Sequence, residues 1–396
     1  MSVWDEVVGQ PEAVATLRAA AAAAAAIVAG EPVNPGAMTH AWLFTGPPGS
    51  GRSVAARAFA AALQCERAGV GCGECAGCHT VRTRTHADVH SVVPEGLSIP
   101  VHEMRAIVLT AARKPAGGRW QVVLIEDADR LTEAASDAVL KAVEEPPART
   151  VFLLCAPSTH PDDVAVTVRS RCRLVPLRIP PADAVAAVLV ARDGVLPEQA
   201  EWAAQAAQGH IGRARRLARD ADARERRRAV LSVPASLTSL AACFTAADHL
   251  VAAAEQEASA LSAELDAPET DALKQAFGAG GTGRGVAASV RGSAGALRDL
   301  ERRQKSRATR AQRDALDRAL VDLAAFYRDV LLVLARADVP PAHPEAQADV
   351  RRVAGRLSPE EALTRLDAVL ACREAVELNV KPRIAVEAMA VTLRLP

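Results

Sequence analysis

Short apolar runs alternate with amphipathic segments over the first 180 residues of the chain. Five runs rich in β-branched and aromatic residues have the length of buried strands, at residues 41–45, 89–93, 121–125, 151–155 and 173–177. Between them, apolar positions recur at helical spacing over residues 53–63, 101–112 and 133–144. Short buried strands that alternate with helices predict an α/β domain with a parallel sheet covered on both faces.

The pattern becomes helical throughout after Pro180-Pro181. Near the end, one apolar stripe recurs at alternating spacings of four and three, at Leu316, Leu320, Leu323, Tyr327, Val330 and Leu334. Such a stripe packs either against sister helices or against another subunit, and packing within the chain is the default interpretation. Seven glycines between Gly278 and Gly295 predict a flexible stretch inside this helical region.

Composition supports a mainly helical protein of two or three domains. Half of the 396 residues are hydrophobic but only 3% are aromatic, which is typical of alanine-rich packed helices. Lys and Arg (47) balance Asp and Glu (47), so affinity for DNA has to come from local patches or from partners. Residues 1–10 lack an export signal and the alanine run 19–26 is too short for a membrane span, so we expect a cytoplasmic protein.

A glycine-rich loop follows the first predicted strand and precedes the first predicted helix. It fits the phosphate-binding pattern G-x-x-x-x-G-K-[ST] with arginine in place of lysine, as Gly46-Pro47-Pro48-Gly49-Ser50-Gly51-Arg52-Ser53. Inward backbone N–H groups and the helix N-terminus attract phosphate, and a serine hydroxyl can ligate Mg²⁺. Arg52 carries a planar guanidinium group, whereas lysine carries a compact ammonium charge, so the exchange changes the way the loop could contact phosphate. Two interpretations remain: the loop still binds ATP or ADP with Mg²⁺, or it is a remnant kept for packing.

Two acidic residues, Glu126 and Asp127, follow the third predicted strand. P-loop ATPases usually place an aspartate for Mg²⁺ first and a glutamate for the attacking water second. Here the order is reversed, which weakens hydrolysis, and a solvated strand end is the alternative interpretation. The candidate nucleotide-binding residues of this region are Gly46, Gly49, Gly51, Arg52, Ser53, Glu126 and Asp127.

Four thiols within fourteen residues predict a structural zinc site. Cys72, Cys75 and Cys78 are spaced as C-x-x-C-x-x-C and are preceded by Cys65. Tetrahedral Zn²⁺ takes four soft ligands, and a site filled by four protein ligands leaves no open position for a substrate. His79 is the alternative fourth ligand, and free or redox-active thiols are the alternative to a metal.

Several ordered motifs resemble the AAA+ clamp-loader subunits of bacterial DNA polymerase III. They are the opening box Val7-Val8-Gly9-Gln10, the P-loop with its cysteine module, Ile99-Pro100-Val101, Leu140-Lys141-Ala142-Val143-Glu144-Glu145-Pro146-Pro147, Ser170-Arg171-Cys172 and Leu378-Asn379-Val380-Lys381-Pro382-Arg383. The resemblance is close over residues 1–180 and less close up to about residue 235. It is weak over the following residues and returns in the last thirty or so residues of the chain. It implies an AAA+ P-loop domain over 1–180 with a zinc module at 65–78, a small helical lid over 181–235 and an all-helical collar for oligomerisation over 236–396.

Within that family, the altered P-loop and the reversed acids place the chain with the delta-prime type of subunit. The resemblance implies that Arg171 is an arginine finger offered in trans to the ATP of a neighbouring motor subunit, with Arg169 as the alternative finger. It also implies that Arg213, in a lid segment, senses phosphate. The arginines at 213–228 and the cations at 302–313 either face a phosphate backbone or form solvated helical faces.

The resemblance therefore implies a stator with no independent ATPase activity, in a pentameric ring with motor and delta subunits. The ring would place the sliding clamp on primed DNA as part of the DNA-directed DNA polymerase (nucleotidyltransferase) holoenzyme, without membrane contact. One alternative is an ATP-hydrolysing motor subunit of the gamma/tau type or another AAA+ DNA remodeler. A second alternative is a zinc-bearing adaptor that never meets nucleotide.

Overall fold

The computed structural model describes residues 2–67, 70–94, 96–117, 119–277 and 286–395. The chain folds into two compact units, unit 1 (Met1–Arg219) and unit 2 (Asp220–Pro396). Each unit has its own hydrophobic core, and the motifs that carry the candidate chemistry lie in unit 1.

A five-stranded parallel sheet forms the centre of unit 1. Its strands are β1 (Ala41–Thr45), β2 (Val89–Val92), β3 (Gln121–Ile125), β4 (Thr150–Ala156) and β5 (Arg173–Pro176), in the order β2-β3-β4-β1-β5. All residues of β1, β3 and β4 are buried, as expected for central strands covered on both faces. The predicted parallel sheet is confirmed, and each predicted strand end lies within one residue of the observed one.

Alternate residues of the central strands face two separate helical layers. Trp42 and Phe44 of β1 pack in one cluster with the first two helices, whereas Leu43 packs on the other face in a second cluster. The helices of unit 1 are α1 (Pro11–Ala29), α2 (Arg52–Leu63), α3 (Ala76–Arg82), α4 (Val101–Ala111), α5 (Glu133–Glu144), α6 (Val166–Arg169), α7 (Ala182–Asp193), α8 (Pro197–Ala206) and α9 (Ile211–Arg219). The three helices predicted between the strands are therefore confirmed.

Helix α1 is long and apolar enough to cross a membrane, judged by length and composition alone. Core helices pass the same test, and one face of α1 is buried in the first cluster through Leu17, Ala20 and Ala24. Alanine contributes little apolar area per residue, so the composition of this helix suits close packing on α2.

Unit 2 is helical in its described part. Its helices are α10 (Ala221–Ser236), α11 (Leu240–Ala276), α12 (Val286–Leu334), α13 (Gln347–Ala354), α14 (Pro359–Glu377) and α15 (Pro382–Leu393). The predicted apolar stripe lies on α12: its first five residues are buried in the unit 2 core and Leu334 packs against that core. The stripe is thus used within the chain, which agrees with the default interpretation.

A buried polar network joins α10, α12 and the loop before α13. Arg227 contacts the Asp322 carboxylate at 2.5 Å and Nδ1 of His343 at 2.6 Å. Asp329 accepts hydrogen bonds from the backbone N–H groups of Ala342 and His343, both at 2.9 Å. Buried charges are tolerated only when they are paired in this way, so the network fixes the loop against α12.

The division into domains at 1–180, 181–235 and 236–396 stays a prediction. The boundary between the two compact units falls after Arg219. Of the predicted flexible stretch 278–295, residues 278–285 lie outside the described residues and the rest belongs to α12.

Candidate functional site

The glycine-rich loop lies at the carboxyl end of β1 and leads directly into α2. Gly49 has φ +91°, and a Cβ atom there would lie 3.0 Å from Cβ of His210, so the loop and the segment before α9 approach too closely for a side chain. The N-terminus of α2 points its free N–H groups at the loop, which is the arrangement that attracts phosphate. The backbone therefore has the strand–loop–helix geometry that the predicted phosphate loop requires.

Arg52 contacts the loop itself. Its Nη1 donates a hydrogen bond of 2.6 Å to the carbonyl oxygen of Gly46, at the start of the loop. Ser50 is 2% exposed, and its hydroxyl has no hydrogen-bond partner in the described structure. A guanidinium bound to the loop's own carbonyl reduces the room and the free positive charge available to an incoming phosphate.

The reversed acids at the end of β3 are also engaged with the protein. Oε1 of Glu126 lies 2.8 Å from Nη2 of Arg57 on α2 and 3.6 Å from Nη2 of Arg84. Asp127 adopts a left-handed backbone conformation with φ +56°. A glutamate paired with two arginines has less negative charge left to hold Mg²⁺, because the two guanidinium groups offset it.

Burial also changes the ionisation of two groups beside these acids. It raises the pKa of the Asp129 carboxyl, with the nearby Asp127 charge as a second cause, and one Asp129 oxygen has no partner in the described structure. Burial likewise raises the pKa of the Cys155 thiol at the end of β4, while a hydrogen bond with Ser53 lowers it. Ser53, the predicted Mg²⁺ ligand, thus contacts a neutral thiol.

Gln10 is a contact residue of the loop whose role the sequence did not reveal. Its side-chain amide donates to the carbonyl oxygens of Ser50 (3.3 Å) and Arg178 (2.5 Å) and accepts from the Arg178 N–H (3.1 Å). It is 6% exposed and ties the phosphate loop to the segment after β5. The only sequence feature that indicated Gln10 was its position as a polar residue before Pro11 in the opening box. Its contacts could not be predicted from the sequence, because its partners lie 40 and 168 residues away.

Arg213 lies in the first turn of α9, close to this loop. Its backbone N–H donates to Nδ1 of His210 at 3.3 Å, and His210 is the residue that approaches Gly49. The predicted phosphate sensor and the P-loop therefore belong to one region of unit 1.

The four cysteines of the predicted zinc site converge. The Sγ atoms of Cys65, Cys72, Cys75 and Cys78 all lie within 4.8 Å of one another. Zn–S bonds of about 2.3 Å in a tetrahedron put sulfurs roughly 3.8 Å apart, so a small contraction completes the site. His79 is exposed and outside this group.

The backbone prepares this cluster for a cation. Backbone N–H groups of Cys72, Cys75 and Cys78 point at sulfur atoms of the cluster at 3.4–3.5 Å. Backbone hydrogen bonds, first from Glu74, lower the pKa of the Cys72 thiol to about 6, which favours the thiolate. A Cβ atom on Gly77 would lie 2.2 Å from the carbonyl oxygen of Gln64, so only glycine lets α3 approach the end of α2. The donor set is compatible with a structural zinc ion.

Arg171 lies at the opposite end of the sheet from the phosphate loop. It follows α6 and precedes β5, whereas the loop follows the carboxyl end of β1, the strand that pairs with β5 in parallel. A strand of five residues spans about 16 Å. Arg171 therefore lies about one strand length away from the phosphate loop of its own unit.

The guanidinium of Arg171 is held by nearby groups. Nη2 lies 2.7 Å from Oε1 of Glu144 at the end of α5, and Nη1 donates to the carbonyl oxygen of Thr167 at 2.9 Å. Both charged side chains are 40% exposed, so the pair is accessible from outside. Arg169, the alternative finger, donates instead to the carbonyl oxygen of Thr159 at 2.9 Å.

Many arginines of the two cationic segments pair with acids of the same unit. Arg215 and Arg219 both contact Asp193, and Arg307 contacts Asp266 and Glu269 at 2.6 and 2.7 Å. Pairing offsets the charge that a phosphate backbone would need. These contacts support the interpretation of both segments as solvated, ion-paired helical faces.

Part of unit 1 matches a known protein family. Residues 27–181 match the family described as DNA polymerase III, delta subunit. The delta' subunit of DNA polymerase III from Escherichia coli is 34% identical over 169 residues, 42% of this chain and 50% of that protein. The tau subunit from Bacillus subtilis is 35% identical over 138 residues, 34% of this chain and 24% of that protein. The chain thus spans half or less of the length of these relatives.

Solved structures are similar at a lower level. The Holliday junction branch migration motor RuvB from Thermotoga maritima has 21% identity and a TM-score of 0.37, over 58% of this chain and 65% of that one. A gamma subunit-related protein from the same organism has 12% identity and a TM-score of 0.36, over 95% and 98% of the two chains. At TM-scores below 0.5, neither likeness bears on the function of this chain.

Proposed function

We propose that this chain is a clamp-loader subunit of DNA polymerase III of the delta-prime type, a proposal supported by the family match over residues 27–181 and by the similarity to the Escherichia coli delta' subunit. In this proposal it is a stator of the loader that activates a neighbour's ATP site. Arg171 carries the proposal. It lies at the end of the sheet away from the phosphate loop of its own unit, and its side chain is accessible from outside. A guanidinium in that position can stabilise the charge on a transferring phosphoryl group held by another subunit, with an effect of about 10³–10⁵ in rate.

The groups around the phosphate loop support the absence of efficient hydrolysis by this subunit. Arg52 is bound to the carbonyl oxygen of Gly46, and Glu126 is paired with Arg57. Hydrolysis needs a free carboxylate to hold Mg²⁺ and another group to orient water, and both functions are weakened here. In this proposal the loop binds nucleotide weakly or not at all.

The proposed partners are motor and delta subunits in a pentameric ring, which acts on the sliding clamp and primed DNA in the cytoplasm. Unit 2 offers a surface for such contacts. Leu240 and Phe244 on α11 and Ile384 on α15 are each about half exposed, and large apolar side chains in that state are typical of protein interfaces.

The test is ATP turnover by the reconstituted loader. Arg171→Ala should lower clamp- and DNA-stimulated ATPase activity at least 100-fold at the site next to this subunit, while the ring still assembles. Arg169→Ala is the matched control and should retain activity, because the Arg169 guanidinium donates to the carbonyl oxygen of Thr159, in the segment after β4. Unchanged turnover with Arg171→Ala would contradict the proposal.

The alternative function is that of a motor subunit, favoured by the intact glycine framework of the loop. ATP hydrolysis by the isolated chain, abolished by Ser53→Ala, would support this alternative over the stator. Tight ATP binding by the isolated chain would exclude an adaptor that never meets nucleotide.

A further inference from the structure

The acid that contacts Arg171 is the last residue of helix α5, Glu144. Its Oε1 lies 2.7 Å from Nη2 of Arg171. The backbone at this end of α5 is held from another side, because Nε2 of His40, just before β1, lies 2.9 Å from the carbonyl oxygen of Val143. Val143 itself is 1% exposed. Glu144 is therefore an acid on an anchored helix end, next to the arginine on which the proposed function depends.

The contacts of Arg171 orient its guanidinium without using all of its donors. Nη1 donates to the carbonyl oxygen of Thr167 at 2.9 Å and to the hydroxyl of Ser170 at 3.3 Å, while Nη2 lies against Glu144. A guanidinium has five N–H donors in one plane, so these contacts leave donors for the oxygens of an outside phosphate. Glu144 and Thr167 can thus fix the direction of this plane while Arg171 stays able to bind.

The place of Glu144 in its helix does not favour stability. The C-terminus of a helix is the negative end of the helix dipole, where cations are stabilising and acids are not. Glu144 ends α5, and Glu145 follows it as the C-cap residue. The ion pair with Arg171 offsets little of this cost, because both side chains are 40% exposed and ion pairs exposed to water contribute little to stability. The effect of Glu144 on Arg171 therefore explains this acid better than an effect on the fold.

We propose that Glu144 is a positioning residue of the trans site, which holds the Arg171 guanidinium in the orientation that meets the nucleotide of the neighbouring subunit. This inference rests on the proposed function. An exposed arginine side chain has many rotamers, and one that is already oriented loses less conformational entropy when the transition state forms. Because the guanidinium stabilises charge that develops during phosphoryl transfer, Glu144 should affect kcat more than KM for ATP.

The experiment measures ATP turnover by the assembled loader with Glu144→Gln, which keeps the length of the side chain but removes the charge that attracts Arg171. We expect kcat at the site next to this subunit to fall about tenfold, with KM for ATP unchanged, because a charge-assisted contact is lost. The midpoint of thermal unfolding should not fall, since an acid is removed from a helix C-terminus. Glu145→Gln, at the neighbouring exposed acid, is the matched control and should leave kcat and KM unchanged.

A double-mutant cycle with Arg171→Ala tests whether Glu144 acts through the arginine. If it does, Glu144→Gln has no further effect on kcat in the Arg171→Ala background. An equal loss in both backgrounds would show that Glu144 acts by another route and overturn the inference. Higher activity with Glu144→Gln would also overturn it, because the carboxylate would then restrain the arginine from its site.

The remaining outcomes separate this inference from the proposed function. Full activity with Glu144→Gln but not with Arg171→Ala overturns the inference and leaves the proposed function standing. Full activity with both variants overturns the two together. A lower midpoint of unfolding, or failure of the ring to assemble, with Glu144→Gln but not with Glu145→Gln would assign Glu144 to the fold and overturn the inference alone.

Discussion

At the scale of single residues, the ability of the P-loop to bind phosphate depends on the position of the Arg52 guanidinium. Arg52 donates to Gly46, and a lysine ammonium at that position would be a compact charge free to approach phosphate. Lysine at position 52 would not alter the pairing of Glu126 with Arg57. Binding and hydrolysis of nucleotide should therefore respond differently to a change at position 52.

We predict that Arg52→Lys increases the affinity of the isolated chain for ATP about tenfold, equivalent to roughly 1.4 kcal/mol, without producing steady hydrolysis. Isothermal titration calorimetry measures the first effect and phosphate release the second. The double variant with Ser53→Ala should lose the gain when Mg²⁺ is present. Equal affinity of the wild type and Arg52→Lys would show that the guanidinium does not limit binding.

At the scale of elements, the cysteine cluster joins the end of α2 to α3 through contacts that a metal would strengthen. We predict about one zinc per chain and a lower midpoint of thermal unfolding after chelation, because metal binding favours the folded state. Cys75→Ala should lose the metal, whereas Cys372→Ala removes a buried thiol of unit 2 and should keep it. Metal analysis and thermal denaturation measure both effects, and a metal-free wild type would contradict the prediction.

The buried network of α10 and α12 should make unit 2 sensitive to acid. Burial lowers the pKa of His343, Arg227 lowers it further, and the charges of Asp322 and Asp329 oppose the shift. The unfolded chain then takes up a proton more readily than the folded one. The stability that neutral His343 provides is present above the ordinary histidine pKa of about 6.5 and is lost as the pH falls toward the lower folded pKa.

We therefore predict that the urea midpoint of the wild type falls between pH 7.5 and pH 5.5 by more than that of His343→Gln. Glutamine does not titrate, and it is expected to be the less stable variant at pH 7.5 because it cannot reproduce both hydrogen bonds of the ring. Equal pH dependence of the two proteins would show that other groups determine the acid response.

At the scale of the whole molecule, the two units have separate cores. The clusters around the sheet belong to unit 1, and the cluster around α12 belongs to unit 2. We predict that a fragment of residues 220–396 folds alone, with a cooperative loss of helical circular dichroism on heating. A gradual, non-cooperative transition of that fragment would contradict the prediction.

Local patterns determined much of this protein. Short continuous apolar runs predicted the strands, glycines and the strand–loop–helix order predicted a phosphate loop, and C-x-x-C spacing predicted a metal site, because each depends on residues close together in the chain. Family motifs indicated Arg171, but no local pattern indicated its pairing with Glu144 across 27 residues.

Only the tertiary structure decided which groups meet. The contacts of Glu126 with Arg57 and of Gln10 with the loop depend on the order of parallel strands in the sheet, whereas Arg52 reaches the Gly46 carbonyl oxygen within the loop itself. Parallel pairing brings segments distant in sequence to the same edge, and the partners of a charged side chain there follow from strand order and not from spacing. The sequence alone therefore determined the kind of site that is predicted, and the fold determined which charged groups meet there.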